Sequence, residues 1–419
     1  MVTMALRRLS LVEFRTEPRI FLTIEEREAL RKLCPGIRIE PTPNSNEHFD
    51  LTPDQRIGLV CAPDLVIEIR PKIPMSSVLF LISHACDAAK WFDEQPEFGE
   101  EPTLTDALAI MLARMAERAT RRGLLNGYQT EEEALQAPRG RILFDNQLRR
   151  RFGTTPPIEV RYDNFTSDVI ENRLLVAAIA VLRKLPLRSE SAKRELLRAE
   201  RLFGAVKRVH FSRDNVPPVF FTRLNHHYMG AISLARLVLR SASLDIGSGG
   251  TRGSALLIEN NVFEQFVRTA LRLALNVEVA RFPDRAPALR LDAAGAVPLK
   301  PDLCLTNDRG ITWVADAKYK RLPAGAYRNA DLYQILAYAV ATGLPSATLI
   351  YAADEGISTA EHFVSRASKQ LRVVALDLSA PPAQILRQIQ SIANGIEEDR
   401  GGIDGPFVAA GATPAFIAD

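Results

Sequence analysis

Residues 301–318 read Pro301-Asp-Leu-Cys-Leu-Thr-Asn-Asp-Arg-Gly-Ile-Thr-Trp-Val-Ala-Asp-Ala-Lys318, and this stretch decides how the 419-residue chain is understood. Two apolar runs, 301–306 and 311–320, flank the turn-forming Asn307-Asp-Arg-Gly310, the pattern of a tight β-hairpin. Strand side chains alternate between faces, so Asp316 and Lys318, two apart, leave the same one. Charges inside apolar strands are costly to bury without partners. Asp302 falls close to opposite Asp316. A turn of three or five residues puts the two acids on one face and a turn of four separates them; the sequence leaves that register open. On one face, two carboxylates would converge beside a lysine. They repel each other and stay ionised only around a cation, which suits a hard divalent metal such as Mg²⁺. Such a metal polarises a phosphoryl oxygen and lowers the pKa of a bound water, while the lysine orients that water or steadies negative charge. This is chemistry for phosphodiester hydrolysis.

Helical patterns stand on either side of the hairpin. Residues 256–275 align Phe263, Phe266, Val267, Ala270 and Leu271 as one stripe with Glu264 at its edge. Residues 331–338 put Gln334 and Tyr338 four apart on one face. Proline-aspartate, a spacer, then D-x-K in this context is the signature of PD-(D/E)xK nucleases. The competing reading is a surface hairpin with an exposed ion pair, which contributes little to stability.

The rest of the chain supplies the setting. Its length predicts two or three domains. No run of 18 uncharged apolar residues occurs, and residues 1–8 lack the apolar core of a signal peptide, so no membrane span is expected. Cys34, Cys61, Cys86 and Cys304 are far apart, which predicts neither a zinc ribbon nor a disulfide framework and points to the cytoplasm. The net charge of +3 conceals an uneven distribution. Residues 1–138 carry −6 (16 basic, 22 acidic), 139–213 carry +9 (17 and 8), 214–253 carry +2 (4 and 2), and 254–419 carry −2 (16 and 18). The basic block either tracks DNA phosphates or forms solvated helix faces paired with Glu190, Glu195 and Glu200.

The expected fold class is α+β multidomain: a β-rich N-terminal region, a helical middle and a C-terminal α/β restriction-endonuclease-like domain. Residues 1–138 read as β-rich with one helix at 104–122, ended near Gly123. Residues 139–246 read as basic and mainly helical, with Asp168-Val-Ile-Glu171 in capping-box form opening an apolar run to Leu182. Gly247-Ser-Gly-Gly-Thr-Arg-Gly253 reads as the main linker. It lacks the lysine of a phosphate-binding loop, so no nucleotide is expected on this chain alone. Residues 254–394 form the expected nuclease domain, and 395–419 a loose tail.

In this order the chain resembles the McrC family, the nuclease subunit of McrBC modification-dependent restriction systems. The matching stretches are Ile69-Arg-Pro-Lys-Ile73, Gly140-Arg-Ile142, Asn164-Phe-Thr-Ser-Asp-Val-Ile-Glu-Asn172, Val262-Phe-Glu-Gln-Phe-Val267, Lys300-Pro-Asp302, Asp316-Ala-Lys-Tyr-Lys320 and Asp331-Leu-Tyr-Gln334. The resemblance implies a PD-(D/E)xK nuclease domain behind a region that docks onto McrB, a separate AAA+ GTPase that reads modified-cytosine DNA. It implies Asp302, Asp316 and the helix acid Glu264 as metal ligands, Lys318 as the catalytic lysine and Gln334 as the auxiliary residue. Glu259, in the polar segment Ile258-Glu-Asn-Asn261, competes with Glu264 as the helix acid.

Other residues carry weaker expectations. Lys72 reads as a partner contact or a solvated strand-end ammonium, and Arg139 and Arg141 as candidates to reach a GTPase site. Asn164, Asp168 and Asn172 read as turn and cap residues. The adjacent His226 and His227 cannot share one helix face as ligands, and Cys304 reads as a small core residue. Two rival functions are a catalytically silent adaptor, which would follow if Asp302 and Asp316 lay on opposite faces, and a stand-alone Mg²⁺-dependent nuclease.

Overall fold

The computed structural model describes residues 6–86, 103–152, 156–247, 250–259, 261–319, 329–353 and 359–403. The chain divides into two units, Met1–Met75 with Cys86–Glu259, and Ser76–Ala85 with Asn260–Asp419.

The first unit is built on a five-stranded sheet in the order Arg7–Val12, Leu65–Arg70, Ile57–Cys61, Gly250–Ile258, Ala242–Gly247. The first two strands run parallel and the other neighbours antiparallel. Helix Ile24–Leu33 begins at a reciprocal cap between Thr23 and Glu26, and Arg7 pairs with the same glutamate at 2.6 Å. Its Leu30 and Leu33 enter the core with Leu11, Leu51, Ile67 and Leu257. Gly58 has φ +143°, and a Cβ there would lie 2.0 Å from the carbonyl oxygen of Leu256, so only glycine lets strand Gly250–Ile258 dock. Helices Leu104–Ala119, Ile170–Arg183, Glu190–Leu202 and Met229–Ser241 pack against one another, and a separate three-stranded sheet is ordered Gly127–Leu135, Ile158–Thr166, Arg141–Ile142.

Several expectations are corrected in this unit. The glycine-rich segment is no linker: its described residues belong to an antiparallel pair in which Ala242 faces Leu256, and the division falls after Glu259. Gly253 serves close strand approach, since a Cβ on it would meet Leu33 and the carbonyl of Cys61. The front holds helices Ile24–Leu33 and Met75–Ala85 besides the expected one, and a three-stranded sheet runs into the supposedly helical middle. Asp168 does not cap helix Ile170–Arg183, whose N-cap is Val169. It accepts from Arg173 at 2.7 and 2.8 Å instead, which holds its carboxyl below the usual range. Asn172 does secure a turn, donating to the carbonyls of Leu125 and Ser167.

Much of the basic block is paired locally. Arg183 and Arg208 meet Glu200, Lys193 meets Glu190 at 2.6 Å, Arg198 meets Glu117 at 3.0 Å, and Arg151 meets Glu159 at 3.1 Å. Arg139 lies over the Tyr162 ring and Lys72 over the Phe14 ring, 4.4 and 5.1 Å from their centroids. The Lys72 ammonium is therefore not a solvated strand end. His226 and His227 sit in a single 3₁₀ turn, and Cys304 is buried.

The second unit carries a five-stranded sheet ordered Leu303–Asn307, Gly310–Lys318, Ser346–Ala353, Lys369–Asp377, Ala360–Val364. The three inner strands are parallel and the outer pairs antiparallel. Helix Asn329–Thr342 makes the crossover between the first two parallel strands and packs Ile335, Tyr338 and Ala339 onto Val314, Leu349 and Leu371. Helices Asn261–Ala274 and Pro382–Ile403 pack on each other and on the sheet. Helix Asn261–Ala274 starts five residues later than the periodicity suggests, because 250–258 are strand. The last helix runs past Gly395, so the expected tail begins no earlier than 404, outside the described residues. Helix Met75–Ala85 joins this unit through residues 76–85: Phe80 and His84 place their rings 5.5 and 5.6 Å from that of Phe266. Among the described residues no helix is long and apolar enough to cross a membrane.

Candidate active site

The hairpin resolves the register that the sequence leaves open. Asn307 pairs with Gly310 around a two-residue turn, where Asn307 accepts from the Arg309 N–H at 2.8 Å and Gly310 takes φ +124°. Extended unbroken, that register would put Asp302 and Asp316 on opposite faces. A bulge intervenes: Thr306 faces Ile311 but Leu305 faces Trp313, leaving Thr312 as the extra residue. The Thr312 hydroxyl donates to the Leu305 carbonyl at 3.2 Å and closes the bulge. Beyond it Leu303 faces Ala315, so Asp302, one residue outside the strand, lies in line with Asp316. The two acids share a face.

Lys318 stands between them. Its Nζ pairs closely with Asp316 Oδ2 and lies 3.8 Å from Asp302 Oδ2. Asp302 Oδ2 also accepts the Ala317 N–H at 3.1 Å. Asp316 is 1% exposed, and its Oδ1 accepts from Gln334 Nε2 and the Tyr338 hydroxyl, both at 3.3 Å. Gln334 and Tyr338 are themselves bonded at 2.7 Å, and Tyr338 reaches the Lys300 carbonyl at 3.0 Å. Helical spacing thus places two side chains of Asn329–Thr342 on one carboxylate oxygen.

The electrostatics follow from crowding. Burial and the nearby Asp302 charge push the Asp316 carboxyl up to about 7 despite the adjacent ammonium. For Lys318 burial works against the charge, but Asp316, Asp302 and Asp331 outweigh it and hold the ammonium above its usual range. Asp331 is buried and accepts from Tyr351 at 2.7 Å.

Glu264 is placed differently. It stays on helix Asn261–Ala274, raised by burial and by Asp302, and its carboxylate is engaged by Arg268. Arg268 also donates to the Asp302 carbonyl at 2.8 Å. Among the described residues no three carboxylate, histidine or cysteine side chains converge as a metal-binding group. The hairpin therefore brings together Asp302, Asp316 and Lys318, with Gln334 joining from the crossover helix and Glu264 linked through Arg268. Glu259 is not helical: it directly follows strand Gly250–Ile258 of the first unit and pairs with Arg213 and with Arg56 at 3.7 Å. Lys320, the last residue of the quoted motif, lies outside the described residues. Arg268 and Tyr338 carry no role that the sequence alone indicates. A charge inside the stripe four residues after Glu264 was the available signal for Arg268, and Tyr338 was marked only by its spacing from Gln334.

A divalent cation fits the chemistry of this donor set in part. Two carboxylate oxygens already converge on one positive centre, the Lys318 ammonium, and hard oxygen donors suit Mg²⁺.

Residues 51–352 match the family model described as McrBC 5-methylcytosine restriction system component. Among solved structures, the chain is similar to one in a half-complex refined from a tetradecameric assembly of Thermococcus gammatolerans McrB AAA+ hexamers with bound McrC. That likeness has a TM-score of 0.56 at 15% identity and covers 93% of this chain and all of that one. A second similarity, to a chain of the McrBC complex of the same organism solved by cryo-electron microscopy, has a TM-score of 0.43 at 16% identity over 65% of this chain and 89% of that one. No curated protein matches the chain.

Proposed function

The chain belongs to the McrBC 5-methylcytosine restriction system component family, and from that premise we propose that it is the DNA-cleaving subunit of such a system. Asp302, Asp316 and Lys318 on one hairpin face carry this reading. In it the second unit is a PD-(D/E)xK nuclease domain, and Asp302 and Asp316 hold a divalent cation, Mg²⁺ being the one their oxygens suit. When bound, the metal supplies Lewis-acid polarisation of a phosphoryl oxygen and a more acidic water. Lys318, kept protonated by three carboxylates, holds positive charge where negative charge builds during hydrolysis. Gln334 and Tyr338 fix the direction of Asp316 by donating to its Oδ1, leaving Oδ2 toward the lysine and the metal. Glu264 stands one residue removed, behind Arg268.

The partner in this proposal is a McrB-like AAA+ GTPase that delivers modified-cytosine DNA and is stimulated by this chain. The support is the family itself and a fold shared with a McrC-containing complex. Opposite faces for the two acids would have revived the rival adaptor reading, and the Thr312 bulge argues against that arrangement. Reconstitution with the partner, GTP, Mg²⁺ and 5-methylcytosine DNA tests the proposal. Cleavage is expected, with loss on Lys318→Ala. No cleavage by the wild type but retained GTPase stimulation would favour the adaptor, and cutting without partner or GTP a stand-alone nuclease.

A further inference from the structure

Arg268 is a charged side chain at the site to which hydrolysis assigns no task. It lies on the buried stripe of helix Asn261–Ala274 and is 8% exposed. Its Nη2 donates to Glu264 Oε1, one turn earlier, and to the main-chain carbonyl of Asp302 at 2.8 Å. Its Nε is buried without an acceptor among the described residues. Replacing a buried ion pair by well-packed apolar side chains is often neutral or stabilising, so the pair is weak evidence of a stabilising role. What the arginine joins is therefore the more informative observation.

What the side chain does is join two elements. The chain of contacts runs from the Glu264 carboxylate through the guanidinium to the Asp302 carbonyl. The carboxylate of the same aspartate accepts from Ala317 and faces Lys318. Glu264, meanwhile, is committed to Arg268 and does not converge with Asp302 and Asp316 as a third ligand. We infer that Arg268 is a positioning residue: Glu264 acts on the centre through it, fixing the Asp302 peptide and hence the direction of the Asp302 carboxylate, rather than by binding the metal itself. This rests on the metal-dependent reading above and concerns how the site is held ready for the ion. Residues that orient ligands in this way tune metal affinity without touching the ion.

The test is calorimetric titration of Mg²⁺ into the DNA-free full-length chain, so that no turnover enters the readout. The wild type binds and Asp302→Asn does not. Glu264→Gln and Arg268→Met each weaken binding by about tenfold, the scale of outer-sphere partners. The double variant is no weaker than either single, because both break one link. Arg268→Lys keeps the charge but loses the fork and falls between wild type and Arg268→Met. Wild-type or tighter binding by Arg268→Met overturns the inference, as does additivity in the double variant or a Glu264→Gln loss equal to that of Asp302→Asn. If Arg268→Met does not fold, Arg268→Lys decides: weakened binding supports the inference and wild-type affinity overturns it. A wild type that binds no Mg²⁺ removes the metal-dependent reading and the inference together, whereas wild-type binding abolished by Asp302→Asn alone sinks only the inference.

Discussion

Asp316 is the residue on which most of the site's forces meet. Burial and Asp302 raise its carboxyl to about 7, while Lys318, Gln334 and Tyr338 hold it in place. A carboxyl whose folded pKa is raised favours folding fully below its unfolded value near 4, and that contribution is lost as pH rises through about 7. In metal-free protein Asp316→Asn is therefore expected to melt above the wild type at pH 8, with the gap closing as pH falls toward 4. A gap that widens on acidification would contradict this account of the charge. Asp168 has the opposite sign. Arg173 lowers its carboxyl, so its contribution is present above pH 4 and lost as pH falls through the depressed value. Asp168→Asn should cost melting temperature at pH 7 and progressively less below pH 4, as measured by thermal unfolding.

At the scale of elements the decisive feature is a single extra residue. The bulge at Thr312 turns a two-residue hairpin, which would separate the two aspartates, into one that aligns them. Deleting Thr312 is expected to leave the circular-dichroism spectrum close to wild type while abolishing Mg²⁺ binding; retained binding would show that the bulge does not set the face. This also explains what was legible in the sequence. Alternation and turn residues announced both strands, and helical spacing announced Gln334 and Tyr338, because those signals are local. The register was not legible, since a bulge is chosen by pairing across the hairpin and nothing about Thr312 marks it. Glu259 looked helical because Ile258 and Val262 continue an apolar spacing, yet pairing with Ile57–Cys61 claims residues up to Ile258 for a strand. Gly247–Gly253 looked like a linker because glycines mark both flexible joints and close strand approach, and the sequence alone does not separate the two.

For the molecule as a whole, the division into units does not follow the chain. Residues 76–85 leave the N-terminal half and pack with residues from 260 onward. Phe80 and Phe266 are both buried there, with ring centroids 5.5 Å apart. Phe80→Ala should cost about 3–5 kcal/mol of stability, measured by denaturant unfolding, although it is far in sequence from the rest of that unit. A loss under 1 kcal/mol would contradict the assignment of this helix. The uneven charge also becomes intelligible at this scale. The part that would cut DNA is slightly acidic because its site is made of carboxylates, and much of the basic block is spent on local pairs. Local pairing leaves less of this positive charge to meet DNA phosphates, which is consistent with the proposal that a partner brings the chain to its substrate.

If the hairpin cuts DNA while the chain separately stimulates its partner, Asp316→Ala in the reconstituted complex separates the two, with cleavage and GTP hydrolysis measured in the same reaction. Cleavage of 5-methylcytosine DNA is expected to be abolished while GTPase stimulation stays at the wild-type level. Cleavage retained by Asp316→Ala would contradict a role for the hairpin in cutting.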